Sequence, residues 1–305
     1  MTAGDKAIQI LDGGMGRELK KIGAPFRQPE WSALALMQSP ELVRDPHTHF
    51  LNAGATVITT NTYALVPFHI GEQTFNEQAF KLAETAAKLA RDAVNAQQGK
   101  QEGNLSVAGC IPPAFGSYRP DLFDASRVSE ILMPLIEAQA PYIDVWLIET
   151  ASSIEEAEAV VSLIKTLSSR PIWLSFSLHN RASTDEPVTL RSGEPLEKIV
   201  PVLRDVERVL FNCSQPEEME SAITITRKLN PNIAIGAYAN SFSERKRSHQ
   251  ANALLSELRD DVTPARYLDY VKSWIAAGAS TVGGCCGIGP EHIKAISEFL
   301  ETQTN

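Results

Sequence analysis

Eight short apolar runs, each followed by a helical pattern, constrain this chain more than any other feature. The runs are 8–11, 56–60, 105–109, 144–149, 171–175, 209–212, 233–237 and 280–283. Turn or capping residues flank each one, as expected of parallel strands buried on both faces. Between two of them, Ala79, Leu82, Ala83, Ala86, Leu89, Ala90 and Ala93 recur at the i, i+3, i+4, i+7 spacing of an amphipathic helix. Ser153-Ile154-Glu155-Glu156 reads as a capping box, and Ala157, Val160, Val161 and Ile164 continue its apolar face. Thr263-Pro264 and Gly289-Pro290 put proline at a first helical position. Further helices are expected over about 40–53, 126–140, 195–205, 216–229 and 264–277. Eight strand–helix pairs predict an α/β chain folded as a (β/α)8 barrel, with residues 1–305 as one domain. The alternative is an open doubly wound sheet, but no Gly-x-Gly-x-x-Gly follows a strand. Three longer irregular stretches, 111–125, 177–194 and 238–262, each follow a strand. In a barrel they share the C-terminal rim, where long loops cover a pocket.

Composition narrows the partners. Lys and Arg number 28 against 37 Asp and Glu, a net charge of −9, which argues against nucleic acid because phosphate binding needs a basic face. No apolar run approaches the roughly 20 residues that span a bilayer, so no membrane association is expected. Residues 1–9 lack the apolar core of a signal peptide, and the expected location is cytoplasmic. In a reducing compartment Cys110, Cys213, Cys285 and Cys286 read as ligands, catalysts or buried thiols rather than disulfides.

A barrel demands that reactive groups stand where strands end. Asp12-Gly13-Gly14 follows the first strand, Asn61-Thr62-Tyr63 the second, and Glu149 ends the fourth. The sixth strand runs into Asn212-Cys213, and the eighth into Gly283-Gly284-Cys285-Cys286-Gly287. One strand separates the sixth from the eighth, so three thiolates can converge on one zinc ion and leave a fourth position open, as in catalytic zinc sites. The other readings are a Cys285–Cys286 vicinal disulfide and a buried thiol at Cys213. Cys110 reads as core packing, and His47 and His49 as surface or packing residues of a helix. Glu149 suits either a substrate ammonium or a salt bridge, and Asp12 has the same two readings. The N–H groups of Gly13 and Gly14 can hold a carboxylate, although a plain turn also explains them. Together these groups suit an α-amino acid. Tyr63 can face a cationic donor through its ring or pack at the barrel mouth. Asn61 and Asn240 can orient substrate or form turns.

In order along the chain stand Leu11-Asp12-Gly13-Gly14, Trp31-Ser32-Ala33, Ala53-Gly54-Ala55 with Ile58-Thr59-Thr60-Asn61-Thr62-Tyr63, Asn212-Cys213, and Gly283-Gly284-Cys285-Cys286-Gly287 with Pro290-Glu291-His292-Ile293. This set, spread over about residues 8 to 300, resembles the zinc-dependent homocysteine S-methyltransferase family. The resemblance implies a barrel with Zn2+ on Cys213, Cys285 and Cys286. It also implies Glu149 on the homocysteine amino group, with Asp12 close by. The implied partners are homocysteine and a small cationic methyl donor, a sulfonium or quaternary ammonium, with S-methylmethionine or S-adenosylmethionine favoured. The loop 111–125 is shorter than in many S-methylmethionine users, although Gly116-Ser117-Tyr118 resembles part of it. Ala239-Asn240-Ser241 stands where many members have Pro-Asn-Ser or Pro-Asn-Ala. No cobalamin or folate module is expected from these 305 residues. The natural donor, a selenium analogue as acceptor and the oligomeric state stay open. Two competing readings are a zinc hydrolase, disfavoured because three thiolates make zinc a poor Lewis acid for water, and a non-enzymatic zinc or redox sensor built on Cys285-Cys286.

Overall fold

The computed structural model describes residues 8–100, 104–183, 185–243 and 257–304. Its strands are β1 (Gln9–Ile10), β2 (Val57–Thr59), β3 (Ser106–Ile111), β4 (Val145–Ala151), β5 (Ile172–Phe176), β6 (Arg208–Asn212), β7 (Ala234–Tyr238) and β8 (Thr281–Val282). All pair in parallel, in the order β1-β8-β7-β6-β5-β4-β3-β2. A parallel bridge between Leu11 and Val57 closes the ring. It is supported by the Thr56 N–H on Ile10 O (2.8 Å) and the Asp12 N–H on Val57 O (3.0 Å). The expected (β/α)8 barrel is therefore present, and every expected run carries a strand whose ends move by at most two residues.

Period-two alternation sorts the strand residues. Leu11, Val57, Ala108, Val145, Leu147, Trp173, Leu210 and Tyr238 form one cluster that fills the lumen. Trp146, Ile148, Leu174, Val209 and Phe211 belong to the larger shell between strands and helices. On β4 the inward sequence Val145, Leu147 continues to Glu149, so the carboxyl is carried into the barrel by the pleat.

Two helices begin at the start signals read in the sequence. Ser153 accepts the Glu156 N–H at 3.2 Å, and Thr263 accepts the Arg266 N–H at 3.3 Å. The amphipathic stripe at 79–93 lies inside the long helix Glu72–Gln97. The segment 195–205 differs from expectation. It forms two 3-10 turns, Leu196–Ile199 and Val202–Asp205, instead of an α-helix. Pro201 lies between them and can supply no N–H to a continuing helical ladder. The short helices Met15–Lys21 and Ala33–Gln38 were not expected.

The three long stretches do gather at one rim. Ser117, Tyr118 and Phe242 line the same pocket. The Arg191 guanidinium sits 4.6 Å from the Tyr118 ring centre, tying the stretch after β5 to the one after β3. Of the stretch after β7, residues 244–256 lie outside the described residues.

Candidate active site

All nine predicted site residues line one pocket at the C-terminal end of the barrel: Asp12, Gly13, Gly14, Asn61, Tyr63, Glu149, Cys213, Cys285 and Cys286. The three cysteine sulfurs lie within 4.8 Å of one another. Those of Cys213 and Cys285 are in direct contact, so the closest pair joins β6 to the loop after β8 rather than the adjacent Cys285 and Cys286. Cys213 is buried, and the other two are partly open to the pocket.

Backbone bonds hold the double-cysteine loop in place. The Cys285 N–H donates to Ala239 O (2.9 Å), the Ser241 N–H to Cys286 O (3.0 Å), and the Gly284 N–H to Asp12 O (2.9 Å). The fully buried Tyr267 hydroxyl donates to Gly283 O at 2.7 Å. Gly14 lies flat against this loop: a Cβ there would stand 2.8 Å from Cys285 O and 3.0 Å from Gly287 N. Gly287 turns the chain at φ +85°, in the left-handed region that suits glycine.

The acidic side of the pocket is built from β1, β3, β4 and β7. Glu149 accepts the Cys110 thiol at 3.1 Å on one oxygen and the Tyr238 hydroxyl at 3.2 Å on the other. Cys110 is thus buried as expected, yet it is no mere packing residue, because its thiol holds the central carboxyl. Burial pushes the Glu149 carboxyl above the usual carboxylate range. Asp12 is 5% exposed and accepts the Thr59 N–H (2.7 Å) and hydroxyl (3.0 Å). Burial, helped by the nearby Glu149 and opposed by the Thr59 bonds, pushes its pKa up to about 8. Two neighbouring carboxyls whose charged forms are disfavoured by burial are suited to a cation, which offsets that cost.

The remaining predicted residues divide. The Gly14 N–H is already taken by Ile288 O at 2.8 Å, whereas the Gly13 N–H donates to no acceptor among the described residues. Asn61 spends its amide on Ser32 O (3.1 Å), tying the end of β2 to the segment before the helix Ala33–Gln38, while the Asn240 carbonyl accepts the Phe242 N–H (3.2 Å) and makes a local turn. The Tyr63 hydroxyl pairs with Ser117 at 2.6 Å, leaving the ring to the pocket. His47 is fully buried and His49 pairs with Glu18 at the surface, as packing and surface residues.

Sequence reasoning missed Trp31 as a pocket residue in its own right, along with Phe26, Tyr118, Phe242 and Tyr238. Tyr238 alone had a readable signal, since it continues the inward alternation of β7. Among the described residues, the non-glycine positions with left-handed backbone are Trp31 (50°), Tyr118 (63°), Thr150 (60°) and Cys213 (49°). Three line the pocket and the fourth follows Glu149. Strain of this kind gathers at functional sites.

Comparisons with known proteins agree with one another. Residues 9–300 match the family model for homocysteine S-methyltransferase. The chain is 29% identical to Homocysteine S-methyltransferase 1 of Zea mays, over 97% of this chain and 95% of that protein. It is also 29% identical to Homocysteine S-methyltransferase of Escherichia coli (strain K12), over 95% of this chain and 94% of that one. The metallated form of the homocysteine methyltransferase MmuM from Escherichia coli is similar in structure, with a TM-score of 0.79, 28% identity and 97% coverage of each chain.

Proposed function

This chain belongs to the homocysteine S-methyltransferase family, and from that premise we propose that it transfers a methyl group from a sulfonium or quaternary ammonium donor to the thiol of homocysteine, giving methionine. The observation that carries the reading is the meeting of three cysteine sulfurs within 4.8 Å beside the buried Asp12 and the partly buried Glu149 in one pocket. An all-sulfur set suits a soft ion such as zinc and not magnesium or calcium. Cys213, Cys285 and Cys286 would hold it. When bound, zinc supplies a Lewis acid that keeps an incoming thiol deprotonated near neutral pH.

The chain's own groups bind and align. Glu149, steadied by Cys110 and Tyr238, takes the homocysteine ammonium, with Asp12 behind it. The Gly13 N–H faces the carboxylate. The faces of Tyr63, Tyr118 and Trp31 receive the positively charged donor. In the transfer, the homocysteine sulfur forms a bond to the methyl carbon as the donor's carbon–onium bond breaks, and that electron pair stays on the leaving atom. No proton moves at carbon, so no general base is needed there, and alignment is the main task. With a sulfonium donor, the departing thioether is neutral and loses its attraction to the aromatic faces, which aids release. S-Methylmethionine and S-adenosylmethionine are the favoured donors.

A set of three cysteines needs reducing surroundings to stay available, which fits a cytoplasmic location. No helix among the described residues is long and apolar enough to cross a membrane. The test is zinc analysis of the purified chain, followed by homocysteine-dependent methionine formation with a panel of onium donors. Stoichiometric zinc and turnover with a sulfonium donor are expected. Zinc and homocysteine binding without methionine from any donor would overturn the reading.

A further inference from the structure

Resting on the reading that Glu149 receives the homocysteine ammonium, we infer that Asn212 is a positioning residue: it fixes Glu149 and Cys213 relative to each other by holding Thr150 in its left-handed conformation. The argument begins with a register shift. Ile148 pairs with Leu174 and Ala151 with Phe176, so Glu149 and Thr150 together stand opposite Ser175 alone. This is a β-bulge, which breaks the ladder and re-aims a side chain. Ile148 and Ala151 both pack in the outer shell as a result, while Glu149 enters the lumen. The break is made at Thr150, whose φ is 60°. A β-branched residue is strongly disfavoured there unless its surroundings hold it.

The Asn212 amide supplies the hold. Its Oδ1 accepts the Thr150 N–H at 3.1 Å and the Ser175 hydroxyl at 2.8 Å. Its Nδ2 donates to the Thr150 hydroxyl at 2.9 Å. The amide therefore replaces the ladder bond that the bulge removes and satisfies the Thr150 side chain as well. No apolar side chain of similar size can do both, and leucine would leave a buried N–H without a partner. Asn212 is fully buried and does not line the pocket, so it acts through its neighbours and not on substrate. Those neighbours are decisive. Thr150 follows Glu149, and Cys213 follows Asn212 at φ 49°. One amide thus links the end of the strand carrying the ammonium site to the end of the strand carrying a metal ligand.

The test is a double-mutant cycle in the zinc-loaded full chain, reading KM for homocysteine, kcat, bound zinc and Tm. Asn212→Ala should raise the homocysteine KM about tenfold, the fold-change expected when a β-branched residue held in a disfavoured backbone region loses its hold and Glu149 shifts with it. Glycine adopts positive φ without strain. In a Thr150→Gly background the same substitution should therefore raise KM less than about threefold, because the clamp is no longer needed. If Asn212→Ala does not fold, the same comparison with Asn212→Ser, whose single short hydroxyl cannot meet both Thr150 groups, replaces it. A purely structural role would lower Tm equally in both backgrounds and leave KM unchanged. An unchanged KM, or an equal rise in both backgrounds, overturns the inference. A native chain that fails to bind homocysteine overturns the functional reading instead.

Discussion

Substituting alanine for Gly14 probes how the end of β1 shares space with the double-cysteine loop. Gly14 has φ −74°, which alanine adopts freely, so the perturbation is steric and not conformational. The added Cβ would stand 2.8 Å from the Cys285 carbonyl oxygen, 0.6 Å inside the 3.4 Å at which ordinary contact begins. Two further contacts, Gly287 N at 3.0 Å and Cys286 Cα at 3.2 Å, are also backbone. No flexible side chain can swing aside, so the loop itself must move. Metal–ligand distances are held to within about 0.2 Å, well below the required displacement. Overpacking of this size costs about 1–3 kcal/mol, and the two loop ligands move with it. Zinc affinity should fall roughly 10- to 100-fold, the range seen when the support of a metal ligand is disturbed. Competition with a chromogenic chelator measures that affinity, and urea unfolding of the zinc-free chain measures the packing cost. Gly23→Ala is the control. Gly23 has φ +80° and no neighbour within 4 Å, so its substitution strains the backbone without touching the site. A Gly14→Ala variant with native zinc affinity would show that this close approach does not set the ligand positions.

Other outcomes follow from the same geometry. Cys285→Ala should lose both bound zinc, read by atomic absorption, and methyl transfer; full retention of both would remove it from the ligand set. Glu149→Ala should keep zinc while weakening homocysteine binding roughly 10- to 100-fold, as loss of a charge-assisted bond implies; calorimetric titration reads the change. His47 is fully buried, its ring nitrogens have no partner among the described residues, and burial pushes its pKa down to about 3. Its folded pKa lies below the ordinary value near 6.5, so its contribution to stability is present above that pH and is lost as pH falls toward 3. Unfolding free energy should therefore drop by about 2 kcal/mol between pH 7 and 5 from this group, and His47→Leu should flatten that part of the profile.

The parts legible in the sequence are those set by one segment at a time. A parallel strand buried on both faces needs an unbroken apolar run, so all eight runs can be read directly. Barrel closure then forces every strand end onto one rim, which is why Cys213, Cys285 and Cys286 can be brought together on paper. Interactions set by two segments at once are not legible. Cys110 looks like a core thiol because nothing in its own surroundings reveals that β3 and β4 pair with Cys110 beside Leu147, placing its sulfur on Glu149. The segment 195–205 has a helical apolar pattern, yet it forms two turns with Pro201, which has no N–H to give, between them. Asn212 is the sharpest case. Its place beside Cys213 suggests a role at the metal, yet its bonds run across the barrel to Thr150 and Ser175. That role follows from a bulge, and a bulge exists only in the register between two strands. Spacing along the chain identifies which strand ends meet; register decides which side chains there carry one another.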